Sequence, residues 1–168
     1  MRRLWVSLLG VIAASLLLAV PAAANSPSKQ AFGPVHVVFP DFFSGADSPH
    51  CNFAVVGDWQ AHGWTETFTN NSGVTVRIEA HIWFAGTLSN PLTGKSVPDM
   101  GHMEVTDYFA SDGSFIKETE QGSRTGFLRA AFHTVTDSQG NIVVDVGRDW
   151  LLTAKHPVSI APVCSALS

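Results

Sequence analysis

Charge is scarce in this sequence: Asp, Glu, Lys and Arg together make 14% of its 168 residues, and only ten of those residues are basic. Binding a phosphate backbone or an anionic membrane surface needs clustered Lys and Arg, so nucleic acid and charged lipid are excluded as expected partners. Cysteine is rarer still. Cys51 and Cys164 are the only two, with no Cys-x-x-Cys spacing to hold a metal or run redox chemistry. No Gly-x-Ser-x-Gly elbow marks a nucleophile, and no glycine-rich loop follows a strand to cradle a phosphate. Apolar residues seldom recur at spacings of three and four together, so amphipathic helices are not expected. What is abundant is apolar surface: 45% of the residues are hydrophobic, far above the range of disordered chains.

One apolar run is long. Leu4 to Val20, interrupted only by Ser7, Gly10 and Ser15, follows Arg2-Arg3 and precedes Pro21 and the triplet Ala22-Ala23-Ala24. Its 17 residues fall short of the about 20 that span a bilayer, and the basic start with small residues at the end is the pattern of a cleaved signal peptide over 1–24. Removal of Arg2 and Arg3 leaves eight basic against 14 acidic residues, a net charge of −6. No cysteine stands at the cleavage point to carry lipid, so the expectation is a freely soluble secreted product with no membrane contact. In an oxidising compartment two cysteines with no leftover thiol pair most simply as a disulfide.

Residues 25–31 read as a mobile polar leader and 32–168 as a single domain, since no Pro- or Ser-rich linker divides it. Within it, strand alternates with turn. Val74 to Ala85 places Val74, Val76, Ile78, Ala80, Ile82 and Phe84 on one parity and Thr75, Arg77, Glu79, His81 and Trp83 on the other, the period of a half-buried strand. Trp64–Thr69 is its hairpin partner through Asn70-Asn71-Ser72-Gly73, and Gly86 is read as allowing a bulge or bend. Further strands are expected at Val35–Phe39, Asn52–Val56, Thr87–Ser89, Lys95–Val97, His102–Ala110, Ser114–Glu120, Thr125–Thr136 and Ile142–Thr153. Eight to ten antiparallel strands in a meander give an all-β fold, read as a closing β-barrel with a two-sheet sandwich as the alternative.

The candidate chemistry is thin. Glu79 and His81 share a face with Arg77 and Trp83, about 7 Å apart along the strand, and inside a closed barrel they would serve as acid and base. Against that, the opposite parity is the continuously apolar one, which makes this the wet face. Seven histidines, His36, His50, His62, His81, His102, His133 and His156, show no ligand spacing, so no metal is expected. Ser44, Ser72 and Ser111 sit in turn contexts, and Asp41, Asp47 and Asp58 in an irregular region. Most of Phe39, Phe42, Phe43 and Phe68 are expected in the core. Trp59 and Trp64, flanking Ala61-His62-Gly63 in what reads as a loop, are the candidates for ligand contact, together with Trp83 and Arg77.

The segments CNFAV at 51–55, TLSNPLTGKSV at 87–97, SQGN at 138–141 and VCSAL at 163–167, taken with the leader, resemble a group of small secreted actinobacterial proteins of unassigned function. The resemblance implies export, pairing of Cys51 with Cys164 and an all-β domain. It carries over no catalytic residue, and Trp59, His62, Trp64, His81 and Trp83 make this chain richer in His and Trp than the group's pattern. The expected function is a secreted, disulfide-closed, noncatalytic β domain binding a small apolar ligand or a surface component, without cofactor. The rivals are a cofactor-independent barrel enzyme of cyclase or isomerase type, and a structural or interaction protein of the cell envelope.

Overall fold

The computed structural model describes residues 27–42, 51–126, 129–148 and 159–168. The leader 1–24, the candidates Phe43, Ser44, Asp47, His50 and His156, and the expected strand residues 127–128 and 149–153 lie outside the described residues. Seven strands follow one another as a single antiparallel meander: β1 (Ser28–Phe39), β2 (Val56–Thr69), β3 (Thr75–Ser89), β4 (Ser96–Phe109), β5 (Phe115–Gly126), β6 (Ala130–Asp137) and β7 (Ile142–Arg148). They are ordered β1 to β7 across the sheet, and no ladder joins β1 to β7 among the described residues, so the sheet is not closed into a barrel. A short helix, α1 (Ala161–Leu167), ends the chain. No helix among the described residues is long and apolar enough to cross a membrane.

Residues 52–55, read as strand, lie outside any strand, and the runs at 87–89 and 95–97 are ends of β3 and β4 rather than strands of their own, so the expected eight to ten strands are seven among the described residues. Three further local expectations are corrected. Ser28 to Ala31, read as leader, pair with Trp64 to Thr67 inside β1. Residues 61–63 are the middle of β2, not a loop, because the alternation of Trp59 inward and His62 and Trp64 outward runs unbroken through them. Gly86 is no bulge: the β2–β3 and β3–β4 registers pass it without a shift, and a Cβ there would collide with the Asp58 carbonyl and the Trp59 backbone. It is one of four glycines that lie directly across from an inward aromatic ring, in the pairs Trp59/Gly86, Phe32/Gly63, Phe84/Gly101 and Phe132/Gly122. At Gly63, Gly101 and Gly122 the missing side chain makes space for the ring across the ladder, at Gly86 it lets the β2 backbone approach closely, and the Trp59 ring lies where a Cβ at Gly57 would stand.

The hairpins reuse one device. Asn70 Oδ1 accepts from the Ser72 and Val74 amides at 2.9 and 3.0 Å, and Asp137 Oδ1 accepts from Gln139 and Asn141 at 3.0 and 2.7 Å. Asp112 Oδ1 accepts from the Ser114 hydroxyl and amide, which hold its carboxyl below the usual carboxylate range. Gly73 and Gly113, at φ 78° and 85°, take the left-handed positions these turns require.

The core gathers at one end of the sheet. Trp59, Leu88 and Val97 point inward from β2, β3 and β4, and Phe42, Val55, Ile160, Val163 and Leu167 plug that end. Helix α1 buries Val163 and Leu167, four residues apart on one face, and Pro162 sits in its first turn. Three contacts clamp it: the Cys51–Cys164 disulfide, Asn90 Nδ2 and Thr93 Oγ1 both donating to the Leu167 carbonyl at 3.0 Å, and Lys95 Nζ donating to the Ser168 carbonyl. The helix was missed because its seven residues are too few to show a period.

Candidate functional site

The opposite face of the sheet is where chemistry-bearing side chains collect. Strand parity sends the even positions of β2, the odd positions of β3 and the even positions of β4 outward, and the register aligns them into rungs. One rung runs Trp64, His81, Glu104, Gln121 and His133 across β2 to β6. The next runs His62, Trp83, His102 and Ser123 across β2 to β5. Residues that are 12 to 23 positions apart in sequence thus become neighbours.

Four of them form a stack of rings. Trp64 and His81 lie 3.8 Å apart with planes 22° off parallel, His62 and Trp83 lie 6.0 Å apart at 19°, and His81 and Trp83 lie 6.4 Å apart at 25°. The Lys29 ammonium covers the Trp64 ring at 3.6 Å on the β1 side. Trp64 therefore has both neighbours in place, a cation and an imidazole. Trp83, 42% exposed, is the ring the stack presents to solvent.

Polar groups continue the stack toward β5. His81 Nδ1 stands 3.3 Å from Glu104 Oε1, and Gln121 Nε2 donates to Glu104 Oε2 at 2.6 Å. Beside them the Ser123 hydroxyl and His102 Nδ1 hydrogen-bond at 3.2 Å. The carboxylate that orients His81 is thus Glu104, from the neighbouring strand, rather than Glu79. Glu79 Oε1 lies 3.0 Å from Arg77 Nε at an angle that makes the contact electrostatic rather than a hydrogen bond, and the guanidinium rests 3.9 Å over the Phe68 ring. Glu79 and His81 share the outward face as the alternation requires, but each is engaged by another residue. Sequence reading missed Glu104, Gln121 and Ser123, and weighed His102 only as a metal ligand. Their own alternation along β4 and β5 is visible in the sequence, but the cross-strand register that joins them to His81 and Trp83 is not.

Trp59 is a correction. It is 4% exposed, pointing inward between Phe42 at 4.8 Å and Phe39 at 5.8 Å, and its indole Nε1 donates to Asp99 Oδ2 at 2.8 Å. The same carboxylate oxygen accepts from Arg124 Nη1, and the guanidinium lies over the Phe42, Trp59 and Phe84 rings. This buried ion pair, with Asp99 0% and Arg124 8% exposed, ties β2, β4 and β5 together under the plug. It was not anticipated from sequence.

The inner face toward the opposite end holds a second polar group. Asp107 stands directly across from Glu118, and burial pushes its carboxyl up while a hydrogen bond with the Glu118 side chain opposes the shift. Glu120, Thr134 and Asp145 form the neighbouring rung, and both Asp145 carboxylate oxygens are buried without a hydrogen-bond partner among the described residues. His81, His102 and His133 share the outer face, yet no three His, Cys, Asp or Glu side chains among the described residues are grouped to hold a metal ion. Comparison of the chain with protein-family models, with curated proteins and with solved structures finds no match in any of the three.

Proposed function

We propose that the chain is exported, loses residues 1–24 and acts outside the cell as a noncatalytic binding module that holds glycans of a surface on its outer Trp–His shelf. The observation that carries this reading is Trp83: a large ring 42% exposed on a sheet face, backed by His62 and flanked on β4 and β5 by His102, Ser123, Glu104 and Gln121. Exposed aromatic surface of this kind marks interaction sites. An indole that offers apolar area beside convergent carboxylate, amide, hydroxyl and imidazole groups matches a sugar ring, which has apolar C–H faces and a girdle of hydroxyls. Trp64 is the support in this scheme, since Lys29 and His81 already occupy its two sides. A purely apolar small molecule would strip water from the remaining donor and acceptor positions of those polar groups and replace it with nothing, at a cost of about 1–3 kcal/mol for each one left unmet.

The disulfide fits an oxidising destination. Barrel closure, by joining β1 to β7, belongs to the same proposal, because a closed wall would present the shelf on its outside. Two measurements test the reading. Mass spectrometry of secreted material should find Asn25 at the N-terminus, and intact residues 1–24 would refute export processing. In pull-down with insoluble polysaccharides, including peptidoglycan, the protein should be retained and Trp83→Ala should be lost to the supernatant with its circular dichroism unchanged. No retention, or equal retention of the variant, contradicts the glycan reading.

A further inference from the structure

A different part of the molecule carries a second binding chemistry. The β4–β5 ladder runs to Asp99/Gly126, but β5 and β6 begin pairing only at Arg124/Ala130, and β6 and β7 end at Ala131/Arg148. Thr125 and Gly126 therefore extend past the last rung that β5 shares with β6. The corner opens into a cavity of about 560 Å³, lined by Arg124 and Arg129 together with Thr125, Gly126, Ala130 and Gly147. That volume lies inside the range of about 300–1,000 Å³ typical of small-molecule sites.

The two arginines differ. Arg124 is 8% exposed and its guanidinium is committed to Asp99 and the surrounding rings, so it forms part of the wall. Arg129 is exposed and has no ion pair, hydrogen bond or ring contact among the described residues. The rest of the lining is small: Ala130, Ala131, Gly126 and Gly147 put no bulk into the space, and a Cβ at Gly147 would run into the Ala131 carbonyl. An open corner with apolar walls and one uncommitted guanidinium has a definite complement. We propose that this cavity binds a small organic anion, a carboxylate on a short apolar body, with Arg129 gripping the carboxylate and Ala130, Ala131 and Gly147 receiving the body. The guanidinium fork matches two carboxylate oxygens at once.

Sodium hexanoate, hexan-1-ol and inorganic phosphate, each titrated into the ¹⁵N-labelled purified protein, separate the parts of the claim. Hexanoate is expected to bind saturably, with the largest amide shifts at Gly126, Ala130, Ala131 and Gly147. Hexan-1-ol, which lacks the charge, and phosphate, which lacks the body, should each bind about tenfold or more weakly. Arg129→Gln should weaken hexanoate by about tenfold or more, the size of one lost charge-assisted contact, and Arg129→Lys should restore part of it. Arg129 is exposed and has no partner among the described residues, so both variants should unfold at the wild-type temperature. Absence of hexanoate binding, shifts centred elsewhere, equal affinity for the alcohol or for phosphate, or an unchanged Arg129→Gln would each overturn the proposal.

Discussion

Trp59 and Trp83 stand in adjacent strands, both in apolar–polar alternation, and their surroundings are opposite. At the plugged end Trp59 is enclosed by Phe39, Phe42 and Phe84 and donates its N–H to a carboxylate that is itself wholly buried. On the outer shelf Trp83 is backed on the β2 side by His62 and remains 42% exposed. The same contrast holds for ion pairs: Asp99–Arg124 is sealed, whereas His81–Glu104 has side chains 24% and 37% exposed. Parity within a strand, more than residue type, decides which side chain becomes structure and which stays available to a ligand. The plugged end holds the Cys51–Cys164 disulfide and the buried Asp99–Arg124 pair, whereas the outer face carries half-exposed rings and ion pairs.

The comparison breaks most sharply at Asp99. Asp99→Ala would leave the Arg124 charge buried without its partner, and urea unfolding should show a loss of about 3–5 kcal/mol. Next is the clamp. Cys51→Ala with Cys164→Ala, or reduction of the bond, releases a closure 113 residues long and should cost about 2–5 kcal/mol, read from the same unfolding curves in oxidised and reduced protein.

These two fastenings were legible to very different degrees. The disulfide was expected from two cysteines with no leftover thiol in a chain read as exported, and the resemblance pointed to the same pair. The landmarks CNFAV, TLSNPLTGKSV and VCSAL meet at one place: Cys51 bonds Cys164, and Asn90, Thr93 and Lys95 hold the carbonyls of Leu167 and Ser168. The long strands and hairpins were readable because period two and Asn, Asp and Gly turn chemistry are local. The ion pair was not, because Asp99 and Arg124 are 25 positions apart and a charge on an inward parity looks like an exception to the pattern until its partner is known. Trp59 was misplaced for a related reason: Ala61, His62 and Gly63 resemble a loop in composition, while the pairing of Gly63 with Phe32 and Ile82 makes the glycine a seat for a ring. Arg77, Glu79, His81 and Trp83 were correctly put on one face, but the partners that give that face its chemistry come from strands β2, β4 and β5.

The inner face beyond the plug sharpens the comparison through pH. Asp107 has a carboxyl raised above its ordinary 3.8 by burial, so the folded protein holds that proton more tightly than the unfolded chain. Its contribution to stability is complete below 3.8 and is lost as pH rises through the folded value. Asp107→Asn removes this loss. The variant should therefore be more stable than wild type at pH 7, with the advantage shrinking as pH falls toward 3.8, measured as urea midpoints across that interval. The smallest effect is expected on the shelf: Glu104→Gln breaks a half-exposed pair with His81 and should change stability by less than about 1 kcal/mol, in contrast to Asp99→Ala.

Selective oxidation of tryptophan by N-bromosuccinimide, followed by peptide mass mapping, tests the division between the two regions most directly. Among Trp59, Trp64 and Trp83, Trp83 should react first, Trp64 more slowly behind Lys29 and His81, and Trp59 only once the protein unfolds; a bound glycan should protect Trp83 and leave the Trp59 rate unchanged. Oxidation of Trp59 in the folded protein as fast as Trp83, or glycan protection that falls on Trp59, would contradict the account.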